Sequence, residues 1–242
     1  MSSLVDLIPV VGTLLIVGAL FAGMRIGARV LPDRSRAIGV STATTALLVC
    51  ASAAFTLAIR GVFDHQQRIP IPPIAYGLLL PLVVFGALLA ISDTARRLCD
   101  GIPQPFLVAV QTYRLLGGAF LLVMLQGRMP GAFALPAGLG DVLIGASAPF
   151  VALAYARDPS RSRSLVLLWN VLGVLDLVVA VSMGMLTAPG HLQRFGFDHP
   201  NFAIRQFPFV LIPVFLVPMS LFLHVLSLER IKDEARSRWA GR

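Results

Sequence analysis

Arg114, Asp141 and Asp176 fall near the middle of three successive apolar stretches of the chain. One guanidinium and two carboxylates are the groups of ion pairing, anion binding and proton exchange. In hydrocarbon each charge costs about 2.5–3.5 kcal/mol on insertion scales. Three isolated charges would therefore cost roughly 8–10 kcal/mol, as much as the net stability of a domain. Pairing lowers that cost, but one arginine neutralises only one acid. The surplus negative charge calls for a proton on a carboxyl group or for a bound cation. The trio thus has two readings. It is a clamp that fixes helix register, or it is the centre of a path for protons or a small solute.

Other polar side chains extend the trio. Gln111 and Tyr113 share a stretch with Arg114, and Gln111 is three residues from it, on the same side of a helix. Trp169 and Asn170 lie about two turns before Asp176, and His224 is in the last apolar stretch. Depth counting at 1.5 Å per residue puts the three charges within about one turn of mid-depth. It puts Gln111 and Asn170 toward the cytoplasmic side and His224 further still, as a polar exit track. Gly138 and Gly145 flank Asp141 at i−3 and i+4, and Gly117 and Gly118 follow Arg114. Small residues so placed let helices approach closely.

Histidine and aspartate also recur in two connecting segments, as Phe63-Asp64-His65 and Phe197-Asp198-His199, with His191 nearby. These are zinc or copper ligand types, but their spacing lacks the tight clustering of a metal centre. No metal and no cofactor is expected. Cys50 and Cys99 are not spaced as ligands and fall at different depths, so they read as idle thiols rather than as a disulfide.

The elements that position these residues follow from composition. The chain has 242 residues, 57% of them hydrophobic and only 13% charged, with mean hydropathy +0.82. That is about half the usual charged fraction of a soluble domain, too little to cover a globular surface. Seven stretches reach the roughly 20 apolar residues of a membrane span, at about 4–24, 38–59, 71–92, 105–126, 132–156, 164–187 and 207–228. The predicted fold is all-α, a polytopic integral membrane bundle of seven transmembrane helices forming one domain over 1–242, with a short basic tail at 229–242. No basic region precedes the first span, and Asp6 stands where one would be expected, so this span reads as a retained helix rather than a signal peptide.

Basic residues give the orientation. Arg25, Arg29, Arg34 and Arg36 follow the first span, Arg96 and Arg97 the third, and Arg157, Arg161 and Arg163 the fifth; the tail holds five more. The alternate connections hold only Arg60, Arg68, Arg128, Arg194 and Arg205. Positive charge stays cytoplasmic, which predicts an outside N-terminus and a cytoplasmic C-terminus. The net charge of +8 is thereby explained by topology, and nucleic acid is not an expected partner. Proline is dense in the third and seventh spans, at Pro72, Pro73 and Pro81 and at Pro208, Pro213 and Pro218, where it kinks helices.

The repeated Phe-Asp-His strings follow spans two and six, an offset of four. In topology alone this resembles the small sugar transporters of the SWEET type, two three-helix repeats joined by a single helix. The second span holds no counterpart of Trp169, Asn170 or Asp176, so membership is not drawn. The only lysine, Lys232, is in the tail, which excludes a retinal Schiff base in the last span. P-loop, zincin, GxSxG and haem-attachment signatures are absent, as is a pair of histidines within spans for a haem.

The function expected from the sequence is transport or permeation of a small solute, coupled to protons, through a bacterial-type cytoplasmic membrane. Arg114, Asp141 and Asp176 form its centre, and Gln111, Tyr113, Trp169, Asn170 and His224 line the path. The alternatives are an intramembrane enzyme using carboxylate or metal chemistry, and a sensor, assembly factor or structural subunit whose ion cluster only fixes packing. The expected partners are the lipid bilayer and a small solute or proton, and a homo-oligomer is compatible with the reading.

Overall fold

A computed structural model describes residues 4–64 and 72–240, with 234–240 described by their backbone alone. His65 and Arg68 therefore lie outside what is described. All regular structure among the described residues is helical. Seven helical stretches are long and apolar enough to cross a membrane, the arrangement of a multi-pass membrane protein.

The elements are α1 (Ile8–Gly27), α2 (Asp33–Ile59), α3 (Pro73–Ile91), a short α4 (Asp93–Asp100), α5 (Gln104–Leu125), α6 (Gly131–Arg157), α7 (Pro159–Thr187) and α8 (Val217–Ala240). Leucine, valine and phenylalanine side chains such as Leu14, Leu143 and Phe150 stand out from the bundle, more than 60% exposed. An exterior of this kind suits a lipid solvent rather than water.

Connections at one end are tighter than the sequence suggests, because polar side chains there serve as caps. Ser92 Oγ accepts the Ala95 N–H at 3.2 Å and starts α4, where the sequence reads only as a loop. The connection expected between the fifth and sixth spans shrinks to Asp158, followed by Pro159 at the first position of α7. Asp158 Oδ1 accepts the Ser160 hydroxyl at 2.7 Å and the Arg161 N–H at 3.0 Å. Those two donors hold its carboxyl below the ordinary range. Arg36 donates to the carbonyls of Ala28 and Leu31, and Arg230 to those of Asp100 and Ile102. The basic residues at this end thus terminate helices as well as adding charge. Cys99, in α4, is pushed up to about 12 by burial, then by Asp100 and Glu229, which leaves it an unreactive thiol at neutral pH.

Two departures from regular α-helix lie at mid-bundle. Gln111–Gly118 of α5 is wound as a 3-10 helix. There α6 comes to backbone contact: a Cβ on Gly145 would lie 2.5 Å from the Leu115 nitrogen and 3.0 Å from the Arg114 carbonyl carbon. At the entry to α8, Ile212–Leu216 forms a π-helical turn in which the Val217 N–H reaches the Ile212 carbonyl. Pro213 and Pro218 withhold two backbone donors around this turn, and the ladder widens there. α8 begins later than the sequence suggests and continues past residue 228, so His224 lies mid-helix.

The Gly145 contact is testable. Gly145→Ala adds a methyl group facing backbone that cannot move aside, an overpacking cost of about 1–3 kcal/mol. Its melting temperature in detergent should fall by several degrees. Gly18→Ala and Gly86→Ala, where an added Cβ meets nothing within 4 Å, should leave it unchanged or raise it.

Candidate functional site

α5, α6, α7 and α8 bring the three charged residues together. Arg114, 3% exposed, donates from Nε to Asp141 Oδ1 at 2.8 Å and from Nη2 to Asp176 Oδ2. Its Nη1 faces the Gly173 carbonyl at 3.4 Å and His224 Nε2 at 3.1 Å. Four of the five guanidinium N–H groups are thereby engaged. A guanidinium only donates, so His224 Nε2 must accept and the ring carries its proton on Nδ1. Nδ1 then donates to Asn170 Oδ1 at 2.8 Å. Asn170 Nδ2 donates to the Val166 carbonyl and to Ser227 Oγ, both at 2.8 Å. Gln104 Nε2 closes the file on Ser227 Oγ at 2.6 Å, while its buried Oε1 has no partner among the described residues.

Glycines make the room for these groups. A Cβ on Gly117 would overlap the Asp141 carboxylate, one on Gly140 that of Asp176, and one on Gly173 the His224 imidazole. Each polar group is thus seated against bare backbone of the facing helix, which excludes water from that side and keeps the ion pairs in low dielectric.

The remaining expected path residues are placed as follows. Gln111 and Ser220 bond reciprocally: Gln111 Nε2 donates to the Ser220 carbonyl and Ser220 Oγ donates to Gln111 Oε1, each at 2.9 Å. Tyr113 donates its hydroxyl to the Leu216 carbonyl at 2.8 Å, with Ser220 Oγ 2.6 Å away. These two residues tie α5 to α8 beside the charged cluster rather than within the His224 file. Trp169 donates to Ser147 Oγ at 2.9 Å, and its ring lies 5.2 Å from that of His224. The axial order expected for His224 is corrected. It sits at the level of the charges, between Arg114 and Asn170, because α8 is shifted along the chain as described above.

Ser220, Ser227, Ser147 and Gln104 are members that the sequence reading passed over. A signal was present for most of them. Ser220, His224 and Ser227 are spaced i, i+4, i+7, and Gln104, Gln111 and Arg114 are spaced i, i+7, i+10, each set on one face of its helix. The two polar stripes face each other in antiparallel register, Gln104 to Ser227 and Gln111 to Ser220.

Two cavities meet at Asp141. One, of about 320 Å³, is bounded by α3, α5, α6, α7 and the entry to α8. Phe63, Phe120 and Phe133 are among its walls, and Arg205 and His191 lie toward its other end. The second holds about 30 Å³, roughly one water, and lies against Arg114, Tyr113 and Ser220. Asp141 Oδ2 takes no hydrogen bond from a described residue. The cluster therefore has a closed side, the His224–Asn170–Ser227–Gln104 file, and a side bordered by open volume.

The segment containing Asp64 is joined to the 201–206 segment by the Arg205 side chain. Arg205 donates to the carbonyls of Phe63 at 3.4 Å, Pro189 at 2.9 Å and Asp64 at 2.5 Å. Among the described residues no three His, Cys, Asp or Glu side chains gather as a metal site would require.

The model of one family, described as a domain of unknown function (DUF8737), matches residues 71–232, which include every member of the cluster and of the His224 file. No curated protein and no solved structure matches the chain.

Arg114→Met leaves two carboxylates without their cation. Breaking a buried ion pair from one side costs about 3–5 kcal/mol, so this variant should show a sharply lowered melting temperature in detergent. Combining it with Asp141→Asn and Asp176→Asn removes all three charges and should restore most of the loss. An unchanged melting temperature in Arg114→Met would mean that the three groups are not coupled.

Proposed function

The chain belongs to the DUF8737 family, and we propose that it is a seven-span transporter that moves a small solute in exchange for, or together with, a proton. The observation that carries this reading is Asp141. It is bound to a buried arginine through one oxygen, its other oxygen takes no hydrogen bond, and the residue forms part of the wall of a 320 Å³ cavity. A purely structural clamp has no need of such a cavity at its acid. One guanidinium facing two carboxylates leaves a negative charge over, and His224 does not balance it, because its Nε2 accepts from Arg114. A proton or a cationic group arriving through the cavity does.

In this reading the N-terminus is outside, the C-terminus is in the cytoplasm of a bacterial-type cell, and the cavity faces outward. The His224–Asn170–Ser227–Gln104 file closes the cytoplasmic side. Protonation or release at Asp141 and Asp176 loosens their hold on Arg114, and the bundle reopens toward Gln104. The π-helical turn at Ile212–Leu216 supplies the bend, since its widened ladder already departs from α geometry. Arg114 has the central role of holding both acids, and Gln111 and Tyr113 keep α5 on α8 while the other contacts change.

Orientation is checked with single cysteines on a background lacking Cys50 and Cys99. Gln126→Cys should react with a membrane-impermeant maleimide on intact cells, whereas Arg161→Cys should react only after lysis. The reverse pattern inverts the topology.

Proton coupling is checked in proteoliposomes enclosing a pH dye. Organic acids, amines and sugars are offered in turn, and at least one class should drive a protein-dependent pH change. Asp141→Asn and Asp176→Asn, verified as inserted and folded, should each reduce its rate about tenfold or more, the scale on which a proton-transfer group contributes. Rates equal to those of the unmodified protein would exclude both acids as coupling groups.

A further inference from the structure

We propose that the cavity takes an amphiphilic organic anion, its acidic head on Arg205 and its apolar body along Phe63, Phe120 and Phe133. This names a substrate class and rests on the reading of the cavity as a solute site.

The acidic head is recognised by Arg205. It is 8% exposed, so it has lost most of its hydration, and a guanidinium does not shed its charge to compensate. Its three hydrogen bonds all go to backbone carbonyls, of Phe63, Pro189 and Asp64. Among the described residues no carboxylate lies within ion-pair distance of it, and the segment 65–71 that follows Asp64 contains no acidic residue. Two of its five N–H groups are left over, the number a carboxylate or phosphate takes in a forked pair. Arg114 is also buried, but both of its facing acids are built into the protein. Arg205 has the burial without the counter-ion, and it lines the cavity.

The walls supply the rest of the description. Apart from Asp141, Arg205 and His191, the side chains around the cavity are aliphatic, aromatic, proline or methionine, which suits a hydrocarbon or aromatic body. At about 30 Å³ per water-sized group, 320 Å³ holds roughly ten heavy atoms. That matches a medium-chain acid and is far below a two-chain phospholipid. The stretch of α7 along the cavity, from Leu177 to Met185, rises about 12 Å at 1.5 Å per residue. An elongated molecule with its head at Arg205 therefore points its tail toward Asp141.

Equilibrium binding of radiolabelled octanoate, with its ten heavy atoms, to the full chain in phosphatidylcholine nanodiscs tests the assignment. Binding should be saturable and displaced by unlabelled octanoate and octyl phosphate. Octanol and octylammonium should compete about tenfold or more weakly, because they cannot replace a charge-assisted hydrogen bond. Arg205→Gln should bring octanoate and octanol to equal potency. Because Arg205 also joins two segments, Gly184→Phe is the second variant. It fills the cavity beside Phe133, where an added Cβ sits at ordinary contact distance, leaves the Arg205 contacts in place, and should abolish saturable binding. If phosphatidylglycerol in the disc displaces octanoate from the unmodified chain but not from Arg205→Gln, the anionic head is supplied by lipid rather than by a free acid. The proposal is overturned if the folded chain shows no saturable octanoate binding, or if Arg205→Gln keeps the octanoate preference. Those results would leave Asp141-dependent proton movement standing. Loss of that movement with octanoate binding intact would instead sink the transport reading alone.

Discussion

A guanidinium with four engaged N–H groups fixes the relative positions of four helices. Arg114 extends from α5 to Asp141 on α6, to Asp176 and the Gly173 carbonyl on α7, and to His224 on α8. The contacts to the two acids are charge-assisted, and the arginine that makes them is 3% exposed. The neighbouring sequence follows from that requirement. Glycines at 117, 140 and 173 remove the side chains that would keep the partners apart. Gly145 lets α6 lie against the 3-10 part of α5. Asn170 completes the hydrogen bonding of the imidazole and is itself held by Ser227 and the Val166 carbonyl.

The two arginines buried among the described residues are treated differently. Arg114 meets two carboxylates, one more than it can neutralise, and Arg205 meets none. Summed over the cavity that separates them, the fixed groups balance: one arginine too few at one end and one acid too few at the other. The imbalance is local rather than global, and each end has water-sized volume beside it. An anion bound at Arg205 together with a proton taken up at Asp141 would satisfy both ends without altering the overall charge. A neutral solute would satisfy neither.

Much of this was legible in the sequence, and the limits have physical causes. Hydropathy and length gave seven helices, because a span must satisfy its backbone within itself. The cost of lone charges in hydrocarbon was enough to expect Arg114, Asp141 and Asp176 together. What depth counting misplaced was His224, since a count from the apparent end of the seventh span cannot register a π-helical turn or a helix that outruns its apolar stretch. The polar stripes Gln104–Gln111–Arg114 and Ser220–His224–Ser227 were readable as periodicity, but serine in an apolar helix often bonds its own backbone, and its spacing gains meaning only when a second stripe is found to face it. In the sequence Arg205 is one of five basic residues on the sparse side. Its burial depends on carbonyls from two segments distant in sequence, Phe63–Asp64 and Pro189, which no local pattern reports.

The closed file also bears on how a proton would move. Asn170 and Gln104 are amides, which bond strongly but do not readily pass a proton along, so the sequence His224–Asn170–Ser227–Gln104 is a poor wire in its present form. It acts as a lock. For a proton taken up at Asp141 or Asp176 to leave on the other side, the lock must open and admit water, and this needs Arg114 to release His224 Nε2. Neutralising an acid weakens its attraction for the guanidinium and frees Arg114 to shift. In the transport cycle proposed above, the acids that create the charge surplus would thus control whether the far side stays shut, and the π-helical turn at Ile212–Leu216 would supply the bend.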